Sequence, residues 1–77
     1  MVAPPALAER ILAALEQKAT VLNVFHLPGA ARRPTGDLIL CDVAREDASV
    51  VLSELRGLGL GEQGTIAVEE IDSSIST

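Results

Sequence analysis

Two adjacent arginines, Arg32 and Arg33, lie in a proline-marked stretch that also contains Gly29 and Gly36. Guanidinium groups bind carboxylates and phosphates through paired hydrogen bonds. Glycine lets backbone N–H groups come close to an anion. These four residues are therefore the candidate contact for a ligand or anion. The alternative is that both arginines are solvated and balance an acidic surface, because exposed charges contribute little on their own.

Other side chains capable of chemistry are few. Cys41 lies in an apolar stretch, which predicts a buried, inert thiol rather than a redox-sensitive one. His26 is the single histidine, so a structural role is favoured over a metal ligand or pH sensor. The carboxylates near the predicted strands lack the spacing of a calcium loop and are expected to be solvated: Asp37, Asp42, Glu69, Glu70 and Asp72.

No nucleophile can be paired with a base in this sequence, so we expect a protein that is not an enzyme. The same residues predict no catalytic group, no cofactor and no metal site.

Charge and hydropathy narrow the range of partners. The net charge is −5, with a pI near 4.6, which argues against nucleic acid because phosphate binding needs a basic surface. No apolar run approaches the roughly 20 residues that span a bilayer. The start of the chain lacks the features of a signal peptide. We therefore expect a cytoplasmic protein.

The size of the chain predicts association. Seventy-seven residues form one small domain with a thin core. Such cores are usually supported by disulfides, a metal or a partner chain. Cys41 has no second cysteine to pair with, and the ligand set for a metal is poor. A homodimer is the expected support.

The spacing of apolar residues predicts two helices and three strands. Proline at positions 4 and 5 suits a first helical turn, and the alternation of the first strand breaks near Asn23, which predicts either a bulge there or cover on both faces. The elements are a helix at 5–18, a strand at 20–27, a connection at 28–36, a strand at 37–43, a helix at 45–56, a strand at 64–71 and a polar tail at 72–77.

Particular residues are expected to delimit the second helix. Asp42 is predicted to cap its start, or to lie close to the cap, and Gly57 to end it in a left-handed conformation. Leu58 or Leu60 is expected to close the core beneath it.

The order αββαβ predicts an α+β, ferredoxin-like α/β sandwich, that is, βαββαβ without its first strand, with both helices on one face of a mixed or antiparallel sheet. The first three residues are too short to supply a useful strand. Because that strand lies between the third and fourth in the complete fold, its loss predicts a gap in the middle of the sheet. Pairing of the flanking strands, strand exchange with another chain or a rearrangement led by a helix would each leave exposed edges that favour dimerisation.

Three runs, LPGAARRPTGDLILCDVARE, SELRGLGL and GTIAVEEID, lie between Val21 and Ser74. This part of the chain resembles the N-terminal cytosolic domain of the bacterial membrane proteins grouped as domain of unknown function 389. The resemblance implies a small domain that, in relatives, precedes membrane helices. Members usually begin with an extra strand, which residues 1–5 replace here, and the family has no established reaction.

The fold expectation also resembles the amino-acid-binding regulatory modules called ACT domains, by analogy alone. The function expected is a non-catalytic regulatory or assembly module that dimerises through its sheet and, in full-length relatives, communicates with a membrane domain. The alternative is a small anion- or metabolite-binding protein that uses the arginine stretch at residues 29–36.

Overall fold

A computed structural model describes residues 1–70, in which helices pack on a three-stranded antiparallel sheet. This confirms the α+β class and is compatible with a ferredoxin-like fold. The elements are β1 (Val2–Ala3), α1 (Pro5–Glu16), β2 (Val21–Arg32), β3 (Thr35–Val43), a 3₁₀ turn (Arg45–Asp47), α2 (Ala48–Gly57) and α3 (Leu60–Gln63).

The sheet has the order β1-β3-β2, so β3 is its interior strand, as its apolar sequence predicts. Side chains alternate across it. Ile39 is buried beneath the helices, whereas Leu40 on the opposite face is 49% exposed. One face of the sheet therefore carries the core and the other is left uncovered by the residues that the structure describes.

The prediction that the first strand is absent is wrong. Val2 and Ala3 pair with Leu38 and Asp37 of β3. The amino group of Met1 donates to the Ile39 carbonyl oxygen at 2.8 Å. A strand of two residues has no periodicity to detect, and tertiary pairing alone defines it.

The predicted connection at 28–36 is wrong, because β2 continues to Arg32 and β3 begins at Thr35. The two strands form one hairpin that closes at Arg33-Pro34, a cis peptide. The bulge predicted near Asn23 is confirmed. The register shifts between Leu22 and Phe25, and Asn23 has φ 52°.

A second shift falls between Leu27 and Ala31, where Gly29 has φ 68°. A positive φ at glycine lets the chain add residues without ending the pairing. The turn signals at Pro28-Gly29 therefore mark an irregularity inside a strand.

Both long helices contribute to a single aliphatic core. The helix predicted at 5–18 ends at Glu16, and it buries Leu7, Ala8, Ile11 and Leu15. The helix predicted at 45–56 begins as the 3₁₀ turn and buries Val51 and Leu55. Leu60 is fully buried, which confirms the prediction that Leu58 or Leu60 closes the core.

Two predictions for the ends of the second helix are wrong. Gly57 lies inside α2, and the left-handed residue that follows the helix is Gly59, with φ 105°. Asp42 caps nothing, since its carboxylate accepts a hydrogen bond from Asn23 Nδ2 at 2.8 Å. The turn before α2 begins only after Ala44, which places Asp42 too far upstream.

The strand predicted at 64–71 is reduced to one bridge. Thr65 exchanges backbone hydrogen bonds of 2.9 Å with Val2. Residues 66–70 have no regular structure. Position 71 and the polar tail at 72–77 lie outside the described residues.

Candidate functional site

The two candidate arginines lie at the tip of the β2–β3 hairpin. Arg32 ends β2, Arg33 begins the turn, and both are exposed. Thr35 Oγ1 donates to the Arg32 carbonyl oxygen at 3.3 Å. The guanidinium groups are thus held on a short, paired segment rather than on a long loop.

The two candidate glycines have structural tasks away from that tip. The Gly29 N–H donates to Asp37 Oδ1 at 3.0 Å, so an internal carboxylate already occupies it. A Cβ on Gly36 would lie 2.6 Å from the Ala3 carbonyl oxygen, so glycine is required for the close approach of β1. The structure does not gather Gly29, Arg32, Arg33 and Gly36 into one anion-binding nest. Anion binding by the arginines stays a prediction.

Asp37 is the main charged group of the core, and the expectation that it is a solvated strand end is wrong. It is 5% exposed, and its Oδ2 lies 2.8 Å from His26 Nε2. The hydrogen bonds from His26 and then from Gly29 hold the pKa of Asp37 below its usual value, against the opposing effect of burial. This confirms the structural role expected for His26. Asp37 shares strand parity with buried Ile39, which is the signal that could have predicted its burial.

A cleft of about 770 Å³ opens beyond Met1, between β3 and residues 66–70. We call it the slot. It continues the line of β1, and its walls are the end of β3 on one side and the segment after Thr65 on the other. It is lined on the helix side by Val51, Leu55, Ile66 and Val68 and on the open side by Phe25, Leu40, Ala67 and Glu69. The described strands are paired in the continuous order β1-β3-β2, so the gap predicted in the middle of the sheet stays a prediction.

Cys41 lies on the wall of the slot and is partly exposed, so the prediction of full burial is wrong. Partial burial raises the pKa of its thiol, the Met1 amino group opposes this, and Asp42 adds to it. The same partial burial lowers the pKa of the Met1 amino group. Cys41 is accessible from the slot, because its side chain lines that cleft.

The uncovered face of the sheet carries large apolar side chains. Leu22, Phe25 and Leu27 of β2 are 63%, 57% and 43% exposed, and Leu40 of β3 is 49% exposed. The register pairs Phe25 with Leu40 and Leu27 with Leu38, so these side chains share one face. We call this set the open face. The open face could not be predicted from the alternation of the sequence, because the bulge at Asn23 changes which residues of β2 share a face.

The remaining predicted carboxylates are exposed where the structure describes them. Asp42, Glu69 and Glu70 are all solvent-accessible, and Glu70 lies 3.5 Å from Arg45. Asp72 is outside the described residues. Within residues 1–70, no three side chains of His, Cys, Asp or Glu cluster as metal ligands would. None of the helices in that range has the length and apolar character needed to cross a membrane.

Comparisons of the chain with protein-family models, with curated proteins and with solved structures gave no match.

Proposed function

We propose that this protein is a non-catalytic regulatory or assembly module that pairs with a second copy of itself through its sheet. The observation that carries the proposal is the open face. Contiguous apolar surface of this kind marks interaction sites in proteins of this size. A second copy that covered it would also supply the support that a small aliphatic core lacks.

The outer edge of β2 is a poor alternative for self-pairing. Register shifts interrupt it at two places, and Pro28 removes a backbone donor. Bulges and proline are the devices that keep edge strands from pairing. Face-to-face association of two sheets is therefore favoured over edge extension.

The wider role proposed rests on the ferredoxin-like arrangement and on the resemblance to the cytosolic domain of domain of unknown function 389. In such a context the module would act in the cytoplasm and communicate with a membrane domain. Dimerisation of the small module would then bring two membrane domains together.

The experiment is a dilution series of molar mass by light scattering, with two lysine variants. Leu40→Lys places a charge on the open face, whereas Val50→Lys alters an equally exposed residue of α2 (50% exposed). We expect a dimer that persists to low micromolar concentration for the parent and for Val50→Lys, and a monomer for Leu40→Lys. A parent that is monomeric throughout the series would refute the proposal, as would equal effects of the two variants.

A further inference from the structure

The slot presents backbone hydrogen-bonding groups on both of its walls. Ile39 exchanges backbone hydrogen bonds with Met1, so the backbone N–H and C=O groups of Ile39 point toward β1. Those of every second residue of β3 point the same way. By that alternation, the N–H and C=O groups of Cys41 and Val43 point into the slot. On the opposite wall, Ala67 and Glu69 line the cleft in a segment without regular structure. Within residues 1–70 none of these groups has a backbone partner across the slot.

The two registers define where an inserted strand would lie. Continuing the β1–β3 and Val2–Thr65 pairings beyond Met1 gives four positions, each between a residue of β3 and a residue of the opposite wall. In order away from Met1, the pairs of neighbours are Leu40 and Ala67, Cys41 and Val68, Asp42 and Glu69, and Val43 and Glu70.

Side-chain parity assigns a chemistry to these positions. Ala3 is buried on the helix side and Met1 packs against the core there, so the position between Cys41 and Val68 faces the helices. Its surroundings are apolar. The position between Asp42 and Glu69 faces the open side, with a carboxylate on each flank. A cationic side chain at that position would neutralise both.

We infer that the slot binds an extended segment of a partner polypeptide that carries a cationic residue between Asp42 and Glu69 and an apolar residue between Cys41 and Val68. The segment runs antiparallel to β3 and completes the sheet by strand addition. It hydrogen-bonds to Cys41 and Val43 on one wall and to Ala67 and Glu69 on the other.

The chain itself is a poor source of this segment. Residues 71–77, IDSSIST, contain no cation. The arginines of the hairpin tip are already part of a paired strand and its turn. A cationic partner strand satisfies both the backbone groups and the carboxylates. This inference goes beyond the proposed function, because it concerns the strand position ahead of Met1 and not the apolar side chains of the open face. Phe25 and Leu40 border both surfaces.

Two blocked pentapeptides test the inference on the full chain, acetyl-Thr-Val-Lys-Val-Thr-amide and the same peptide with Glu in place of Lys. Binding is followed by backbone amide shifts of Cys41, Val43, Ala67 and Glu69, and by the alkylation rate of the Cys41 thiol. We expect saturable shifts at these amides and slower alkylation with the Lys peptide, and binding of the Glu peptide that is roughly tenfold weaker.

The variants isolate the charge. In the double variant Asp42→Asn, Glu69→Gln, the preference for Lys over Glu should fall toward one, whereas Glu9→Gln on α1 should leave it unchanged. Joining Val-Lys-Val-Thr or Val-Glu-Val-Thr ahead of Met1 raises the effective concentration of the strand. The Lys form should then have the higher Tm.

Several results would overturn the inference. Equal affinity for the two peptides would do so, as would shifts that leave the Cys41 and Val43 amides unchanged, or no effect of either the free or the joined strands. Protection of the Cys41 and Val43 amides from exchange in the free monomer would show that the chain's own tail fills the slot. Protection that appears only with a doubled molar mass would assign the slot to a second copy, and the proposed function would survive that result.

Discussion

At the scale of single residues, the most informative group is Asp37. Its carboxylate is buried, and it joins the two strands of the hairpin through His26 and the Gly29 amide. The arrangement explains why β2 keeps its pairing across the irregularity at Gly29. A charge in this position fixes the geometry of the strand that also carries the exposed arginines.

Asp37 should make stability depend on acid pH. Its pKa in the folded state is lowered, so its contribution is complete above the unfolded pKa of about 3.9 and is lost as the pH falls through the folded value. We expect Asp37→Asn to be less stable than the parent at pH 7, with the difference shrinking below about pH 4. Chemical unfolding of both proteins from pH 7 down into the acid range measures it.

The control is Asp42→Asn, which changes an exposed carboxylate of the same strand. It measures the effect of removing an exposed charge from β3. A constant gap between parent and Asp37→Asn across the whole range would show that the loss is steric and not electrostatic.

The role of His26 could be predicted from the sequence, whereas the exposure of Cys41 and Asp37 could not. His26 was expected to be structural, and it is. Cys41 and Asp37 were misjudged, because exposure on a strand depends on which neighbours are present. The β1–β3 pairing covers Asp37 and Leu38 but does not reach Cys41. Asp37 also has neighbours on β2, because that strand continues past Pro28.

At the scale of elements, β1 is held by glycines on both sides. Gly36 of β3 and Gly64 after α3 each lie so close to the backbone of residues 2–3 that a Cβ would collide with it. Gly36 was singled out as a ligand contact, but its position in the structure is explained by packing. The helices could be predicted from their periodicity. The close packing of Gly36 and Gly64 against β1 could not, because it depends on contacts between distant parts of the chain.

Replacing Gly36 by alanine should displace β1. The new Cβ would lie 2.6 Å from the Ala3 carbonyl oxygen, and that atom belongs to backbone that cannot rotate away. We expect the free energy of unfolding to fall by about 1 to 3 kcal/mol, as for other overpacked sites. Urea unfolding measures this change, and exchange of the Ile39 amide, which bonds to Met1, should accelerate.

Gly61→Ala is the matched control. Nothing lies within 4 Å of a Cβ at that position in α3, so the change should be neutral or slightly stabilising. If Gly36→Ala behaved as Gly61→Ala does, β1 would have to be more loosely attached than its hydrogen bonds indicate.

At the scale of the whole molecule, one thin aliphatic core connects both layers. Its fully buried large side chains are Ile11, Leu15, Ile39 and Leu60. The class of fold followed from the spacing of such residues. The path of residues 66–70 did not, because only Thr65 of this stretch forms a bridge, with Val2 of a distant part of the chain. Sequence periodicity describes one segment at a time and does not show which distant segments pair with each other.

Ile39→Ala should come close to unfolding the isolated chain. Truncation of a buried Ile costs about 2 to 5 kcal/mol, and a core of this size rarely supplies more than about 3 to 5 kcal/mol. Thermal unfolding followed by circular dichroism should show a large fall in Tm or no folded baseline. Val50→Ala, on a residue of α2 that is 50% exposed, should change stability by less than about 0.5 kcal/mol.

The position of Met1 inside the sheet bears on how the protein is handled. Its amino group bonds to Ile39, and the space directly ahead of it is the slot. An affinity tag fused to the amino end must pass along the walls of that slot, and a histidine-rich or lysine-rich tag would bring cations to Asp42 and Glu69. If the slot binds a cationic strand as proposed above, such a tag would occupy it. Purification through the carboxyl end, or removal of every added amino-terminal residue, keeps the slot free.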